Sequence, residues 1–347
     1  MGERERALLR TIRDRAGGGG IGHGGARRGA VRVGIGDDAA VLALRPGEEL
    51  VVTTDLSLED VHFRRGWHPP EAVGHKCLAR GLSDVAAMGA RPVAAFVSLA
   101  VPREFSRPGR GSEGAGRSWV SRFYDGLLAL AERYHVPLAG GDLAQSPGSP
   151  GPAARALADI VVIGAVPRGR ALLRSGARAG DDIYVTGSLG GAAAELRELE
   201  RTPRRFRNVT HADARHPHLF PEPRLEAGRA LVRRRLATAA IDISDGLSVD
   251  LAHLCEESGV RAEIEGEALP RSPAAFLADA LHGGDDYELL FTARPTTRVP
   301  AQIGGPIGGV AVSRIGRMLP KHRGKPMVAL SEGGVLRALP AAGWQHF

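Results

Sequence analysis

Acidic residues recur along this 347-residue chain beside glycine, serine and threonine. Asp37 and Asp38 follow Gly36, Asp55 follows Thr53 and Thr54, Asp84 follows Ser83, Asp142 follows Gly140 and Gly141, and Asp242 and Asp245 flank Ser244 just before Gly246. These read as short loop-like settings, several of them at strand ends, and the spacing predicts several strands delivering carboxylates to one place. Two bare carboxylates ~4 Å apart repel by roughly 4 kcal/mol at an effective dielectric of 20, and a site that gathers several needs cations to hold it together. Hard oxygen donors favour Mg2+, and Mg2+ beside glycine-rich turns points to phosphate chemistry. Taken singly, each Asp also fits a turn or a helix cap, and Asp37 is the weaker member of its pair.

The hydrophobic pattern supplies the elements that must carry these residues. Strands are predicted over Val31 to Ile35, Ala40 to Leu44 and Leu50 to Thr54, split by the Gly-Asp-Asp and Pro46-Gly47 turns. A helix fits Pro70 to Met88, with proline at its start, Gly89 after its end, and Val73, Cys77, Gly81, Val85 and Met88 at helical spacing. An apolar strand from Val93 to Val101, a polar loop from Glu104 to Ser118 read as a disordered insertion, a helix from Trp119 to Tyr134 and a strand from Asp159 to Val166 complete the first half. The second half reads as strand Asp182 to Thr186, helix Gly190 to Glu200, helix Arg224 to Leu236, strand Ala239 to Ile243 and a helix starting just after Asp245, with Leu247, Leu251, Leu254 and Ser258 on its buried side. Strands and helices mix in both halves, which predicts two α+β domains, 31–167 and 168–347, after a flexible segment over 1–30.

Length fits two domains, each large enough for its own core. The longest apolar runs have strand length, far short of the ~20 residues of a membrane span. The charged stretch Met1 to Arg10 lacks an apolar signal core, and Cys77 and Cys255, the two cysteines, sit in apolar helical patterns; a cytoplasmic protein with buried free thiols is expected. The net charge of +7 comes from scattered arginine, with lysine at Lys76, Lys321 and Lys325 alone, so no clustered stripe marks a nucleic-acid footprint. Glycines 17, 19 and 22 match a dinucleotide fingerprint formally, but no strand pattern precedes them.

In order, the stretches Gly34 to Val41, Thr53 to Asp55 with Val61 to Phe63, Leu82 to Ala90, Gly140 to Asp142, Gly169 to Gly176, Ile241 to Leu247, Gly283 to Glu288 and Gly343 to Phe347 resemble the thiamine-monophosphate kinase family of the AIR synthase-like superfamily. The resemblance covers the chain from about residue 31. It implies a two-domain AIR synthase-like fold with the N-terminal domain pairing in a homodimer and a C-terminal α/β domain completing the nucleotide and substrate site. It also implies transfer of the ATP γ-phosphoryl group to thiamine monophosphate with several Mg2+ ions.

The same resemblance implies Mg2+ ligands at Asp38, Thr53, Thr54, Asp55, Asp84, Asp142, Asp242 and Asp245. ATP contacts fall at Gly141, Asp142, Arg174 and Ser244, and substrate contacts at His62, Asp285 and Trp344. The helix start after Asp245 would add free N–H groups for phosphate. Asp285 stands where the family commonly has glutamate. No residue is nominated as nucleophile or base.

No Gly-x-x-x-x-Gly-Lys-Ser/Thr occurs, which excludes a P-loop kinase, and no protein-kinase catalytic loop is present. The reactive N-terminal or C-terminal cysteines of sister families in the superfamily are absent too. The alternatives are a non-catalytic nucleotide-binding scaffold or another AIR synthase-like enzyme; the insertions at 104–118 and 145–156 and the altered Asp285 leave room for them.

Overall fold

The computed structural model describes residues 10–16, 30–107, 117–148, 153–210, 216–297, 299, 302–303 and 309–345. Most of the glycine-rich tract, the centres of both insertions and the last two residues lie outside them. The chain divides into two compact units: Met1–Leu82, Pro92–Ala165 and Thr202–Ala214, and then Ser83–Arg91, Val166–Arg201 and Arg215–Phe347.

In the first unit a short antiparallel pair, β1 (Val31–Val33) and β2 (Val41–Leu42), precedes a four-stranded sheet ordered β3-β6-β4-β5. Its strands are β3 (Glu48–Leu58), β4 (Arg91–Val101), β5 (Leu138–Gln145) and β6 (Leu157–Pro167). Helix α1 (Pro70–Ala87), which belongs to the second unit from Ser83 onward, opens on proline with Glu71 in its first turn, the charge that suits a helix N-terminus. Helix α2 (Trp119–Arg133) is capped by Ser118, whose hydroxyl accepts from the Ser121 amide. The two helices pack without side chains between them at two glycines. A Cβ at Gly74 would sit 1.9 Å from the Phe123 carbonyl oxygen, and one at Gly126 would sit 1.8 Å from that of Glu71.

The predicted helices and strands are present within a few residues, with two corrections that bear on the site. Strand β3 runs on to Leu58, so Thr53, Thr54 and Asp55 lie inside a strand rather than at its end. Asp142 also lies inside a strand, β5, paired in parallel register with Ser98 of β4. Gly141 permits this: it adopts φ +146°, and a Cβ there would meet the Val97 carbonyl oxygen at 2.0 Å. The 104–118 loop is ordered at its start, where the 3-10 turn Arg103–Ser106 buries Phe105 against Trp119 at 4.9 Å.

The second unit is built on an eight-stranded sheet ordered β14-β13-β9-β12-β7-β10-β8, with β11 (Gln302–Ile303) pairing β12. Its strands are β7 (Asp182–Thr186), β8 (Ala239–Asp242), β9 (Val260–Glu265), β10 (Leu289–Ala293), β12 (Val310–Pro320), β13 (Val328–Glu332) and β14 (Val335–Ala338). Helices α3 (Gly191–Arg201), α4 (Leu225–Arg234), α5 (Leu247–Ser258) and α6 (Leu277–His282) accompany it. Leu247, Leu251 and Leu254 of α5 pack on Ile183, Ile241, Leu290 and Ile315, as the helical spacing predicted, while Ser258 is half-buried. Among the described residues, no helix is long and apolar enough to cross a membrane.

Candidate functional site

The predicted residues fall into two groups, one in each unit. In the first, β3 alternates so that Val51, Thr53, Asp55 and Ser57 share the more buried face. Asp55 pairs with Arg80 of α1 at 2.6 Å, and the Thr54 hydroxyl donates to Asp159 of β6 at 2.9 Å. Asp142 is exposed and accepts from the amide of its neighbour Leu143. Asp38 is exposed, and its amide donates to the Asp37 carboxylate, which thereby braces the turn. The His62 Nδ1 accepts from the Leu58 amide at 3.0 Å, fixing the ring at the end of β3 and, in the neutral ring, leaving the proton on Nε2.

Cys77, on the same helix as Arg80, is buried; desolvation pushes its thiol up to about 12, and the Ser57 hydrogen bond only partly offsets this. It is an inert core thiol, as is Cys255.

In the second unit the acidic residues gather at the C-terminal end of β8 and the start of α5. Asp242, the last residue of β8, is 3% exposed and accepts from the Ser83 hydroxyl at 2.6 Å. The loop after it is folded around a carboxylate that sequence reasoning did not single out. Asp250 Oδ2 accepts from the amides of Ser244, Asp245 and Gly246, each at 3.1 Å. A carboxylate from the helix's own first turn thus holds the amide of the N-cap residue Gly246 and the two amides of the loop before it. Burial pushes the Asp250 carboxyl well above the usual range, and the charges of Asp242 and Asp245 push the same way, against the hydrogen bonds from the loop.

The loop's carbonyl groups hold two further predicted positions. The Ser244 carbonyl accepts from the Asp285 amide at 2.8 Å, and the Asp245 carbonyl accepts from the Trp344 amide at 2.9 Å. Gly343 makes the second approach possible, since a Cβ there would stand 2.0 Å from the Asp245 oxygen. Asp285 adopts φ +67°, a left-handed conformation that Asp tolerates better than most residues. Its carboxylate accepts from the Tyr287 hydroxyl at 2.8 Å and lies 3.6 Å from His218 Nδ1. Below it, Glu288 is buried in a bidentate pair with Arg224 and accepts from Thr186 at 2.6 Å.

Arg174 stands apart from this cluster. Its carbonyl accepts from Ser258, at the far end of α5 from Asp245, about 18 Å along a 12-residue helix at ~1.5 Å per residue. Among the described residues, no three His, Cys, Asp or Glu side chains form a ready-made metal cage.

Models of the AIR synthase related protein family match the chain over residues 36–166 for the N-terminal domain and 178–329 for the C-terminal domain. Thiamine-monophosphate kinase from Salmonella typhimurium is 37% identical over 328 residues, covering 91% of this chain and 92% of the relative. The chain belongs to the thiamine-monophosphate kinase family. The family's crystal structure from Stenotrophomonas maltophilia K279a superposes with a TM-score of 0.71 at 35% identity, covering 93% of this chain and 95% of that one. The AaThiL structure complexed with AMPPCP and TMP gives a TM-score of 0.70 at 30% identity, covering 88% and 89%.

Ser83 and Asp250, which bond to Asp242 and to the loop after it, are residues that the sequence reading passed over. Each has a signal in hindsight: a polar side chain interrupting the buried stripe of a helix, Ser83 between Leu82 and Val85 and Asp250 between Leu247 and Leu254.

Proposed function

We propose that the protein is a Mg2+-dependent phosphotransferase that moves the ATP γ-phosphoryl group directly onto the phosphate of thiamine monophosphate, forming thiamine diphosphate and ADP. The observation that carries the reading is the match to thiamine-monophosphate kinases over 91% of the chain in one relative and 88% in another, the latter complexed with an ATP analogue and TMP.

Gly141, Asp142, Arg174 and Ser244 are assigned to ATP, and His62, Asp285 and Trp344 to the acceptor. Asp38, Thr53, Thr54, Asp55, Asp84, Asp142, Asp242 and Asp245 are assigned to Mg2+. These donors are all hard oxygens, and Mg2+ is ordinarily held by one or two carboxylates plus substrate phosphates rather than by an all-protein cage. The crowding of Asp242 and Asp245 against Asp250 supports the same view, since a cation would relieve it. When bound, Mg2+ supplies neutralisation of the phosphate charges.

The chain's own part is positioning. The Ser83 hydroxyl fixes the Asp242 carboxylate, the Tyr287 hydroxyl fixes Asp285, and the backbone bonds from Ser244 and Asp245 hold Asp285 and Trp344 beside the acidic loop. A phosphate monoester has a second pKa of about 6, so the acceptor oxygen is already anionic and no general base is required. A bond from that oxygen to the γ-phosphorus forms as the bond to the bridging oxygen breaks, and ADP leaves with the electron pair. A thiazolium ring over the Trp344 indole would gain ~0.5–2 kcal/mol.

The segment 31–167 is proposed to bind nucleotide and Mg2+ and to pair in a homodimer, and 168–347 to complete the site. Strand β3 supports the pairing: it is an edge of its sheet and exposes Leu50, Val52 and Leu56 on one face, which a second copy would cover. The two buried, unpaired thiols suit a cytoplasmic location.

The test is ADP release from the purified protein with MgATP, comparing thiamine monophosphate, thiamine and no acceptor. Turnover with the monophosphate alone, abolished by EDTA, is expected. ATP binding without turnover would favour a non-catalytic nucleotide-binding role.

A further inference from the structure

We infer that Asp250 is a positioning residue that sets the nucleotide-side and acceptor-side contacts of the second unit together. This deepens the kinase reading above and rests on it. One carboxylate oxygen, on a side chain 2% exposed, gathers three consecutive amides, those of Ser244, Asp245 and Gly246. With its N–H groups turned inward, the loop presents its carbonyl groups on another side, where Ser244 holds the Asp285 amide and Asp245 holds the Trp344 amide. Gly246 allows the turn at φ +115°, and a Cβ there would meet the His282 carbonyl oxygen at 2.8 Å.

The loop is thus pinned from one point while its opposite edge anchors two segments distant in sequence, 283–288 and 342–344. The Ser248 hydroxyl adds a bond at each flank, to His282 Nδ1 at 2.9 Å and from the Ala342 amide at 3.4 Å. Asp250 is enclosed by the loop whose amides it gathers, and it acts through that loop.

The experiment compares Asp250→Ala, which removes the acceptor oxygen, with Asp250→Asn, which keeps one. Hydrogen exchange followed by mass spectrometry reads the loop without reference to activity. Peptides covering 242–250, 283–288 and 340–345 should lose protection together in Asp250→Ala, with β12 unchanged, and all should regain it in Asp250→Asn. Steady-state kinetics should show the KM for MgATP and for thiamine monophosphate both raised by about tenfold or more in Asp250→Ala, and by less than about threefold in Asp250→Asn.

Loss of protection confined to 242–250, or a rise in only one KM, overturns the joint role. So does an Asp250→Asn protein as impaired as the alanine variant, or one that fails to fold, because the acceptor geometry is retained there. If Asp250→Ala does not fold, the retained exchange pattern and kinetics of Asp250→Asn decide the matter. A wild-type protein that shows the predicted exchange pattern but no turnover would refute the kinase reading and leave the loop architecture standing.

Discussion

Asp142 lies exposed on strand β5, its carboxylate bonded to the next residue's amide, and Asp38 lies exposed beside the turn that Asp37 braces. Asp242 and Asp250, in the other unit, are almost fully out of water and bonded to the side chain or backbone of residues from Ser83 to Gly246. The contrast teaches that two acidic groups of similar composition carry different burdens. An exposed carboxylate costs the fold little and can be altered without harming it. A buried one takes part in holding its loop, so its removal changes structure and chemistry together.

The widest separation of the two units should come from Arg224→Ala. It strips Glu288, 3% exposed, of its bidentate partner and leaves a buried charge with Thr186 as its remaining support in this network. A loss of about 3–5 kcal/mol in urea unfolding is expected. Asp142→Asn should do the reverse: activity falls by about 100-fold or more, while unfolding free energy stays within about 0.5 kcal/mol of wild type. A large stability loss in Asp142→Asn would erase the distinction.

Asp242→Asn sharpens the comparison further. The amide can still accept from Ser83, but one charge leaves the field that pushes the Asp250 carboxyl up. The metal-free variant should melt about 2 °C higher than wild type by calorimetry while losing most of its activity, a trade of stability against function. An unchanged or lower melting temperature would argue that the crowding is already relieved.

A further effect is a pH dependence at Asp286, whose carboxylate accepts from the Gly190 and Ala192 amides at the start of α3. Burial is the largest cause raising it from the ordinary 3.8 to about 7, and Glu288 and Asp285 add to it. Between these values the folded protein holds a proton that the unfolded chain releases, so this group's contribution is full below about pH 4 and lost as pH rises to about 7. Urea unfolding at pH 5 and pH 8 should show the decline in wild type and a flatter profile in Asp286→Asn.

Much of the frame was legible because local chemistry decided it. Strand β7 has the predicted bounds Asp182–Thr186, and α1 starts at proline and ends before Gly89 as its breakers dictate. Strand β5 was not legible, since Leu138–Gln145 contains two glycines and an exposed Asp, and its pairing with β4 is a tertiary event. Strand β12 was hidden in the same way: arginines break its alternation, and Gly316 is there because a Cβ would meet the Glu263 carbonyl oxygen at 2.1 Å. In the site, Asp242 and Asp245 stood out by motif. The grip of Asp250 on their loop depends on how the chain turns at Gly246, which spacing alone does not specify.

Phosphorus NMR of the purified protein with MgATP and thiamine monophosphate follows the transferred phosphoryl group itself. A diphosphate ester of thiamine should appear in step with ADP, one for one, with no inorganic phosphate and no reaction when thiamine replaces the monophosphate. ADP appearing with inorganic phosphate while thiamine monophosphate persists unchanged would contradict the kinase reading.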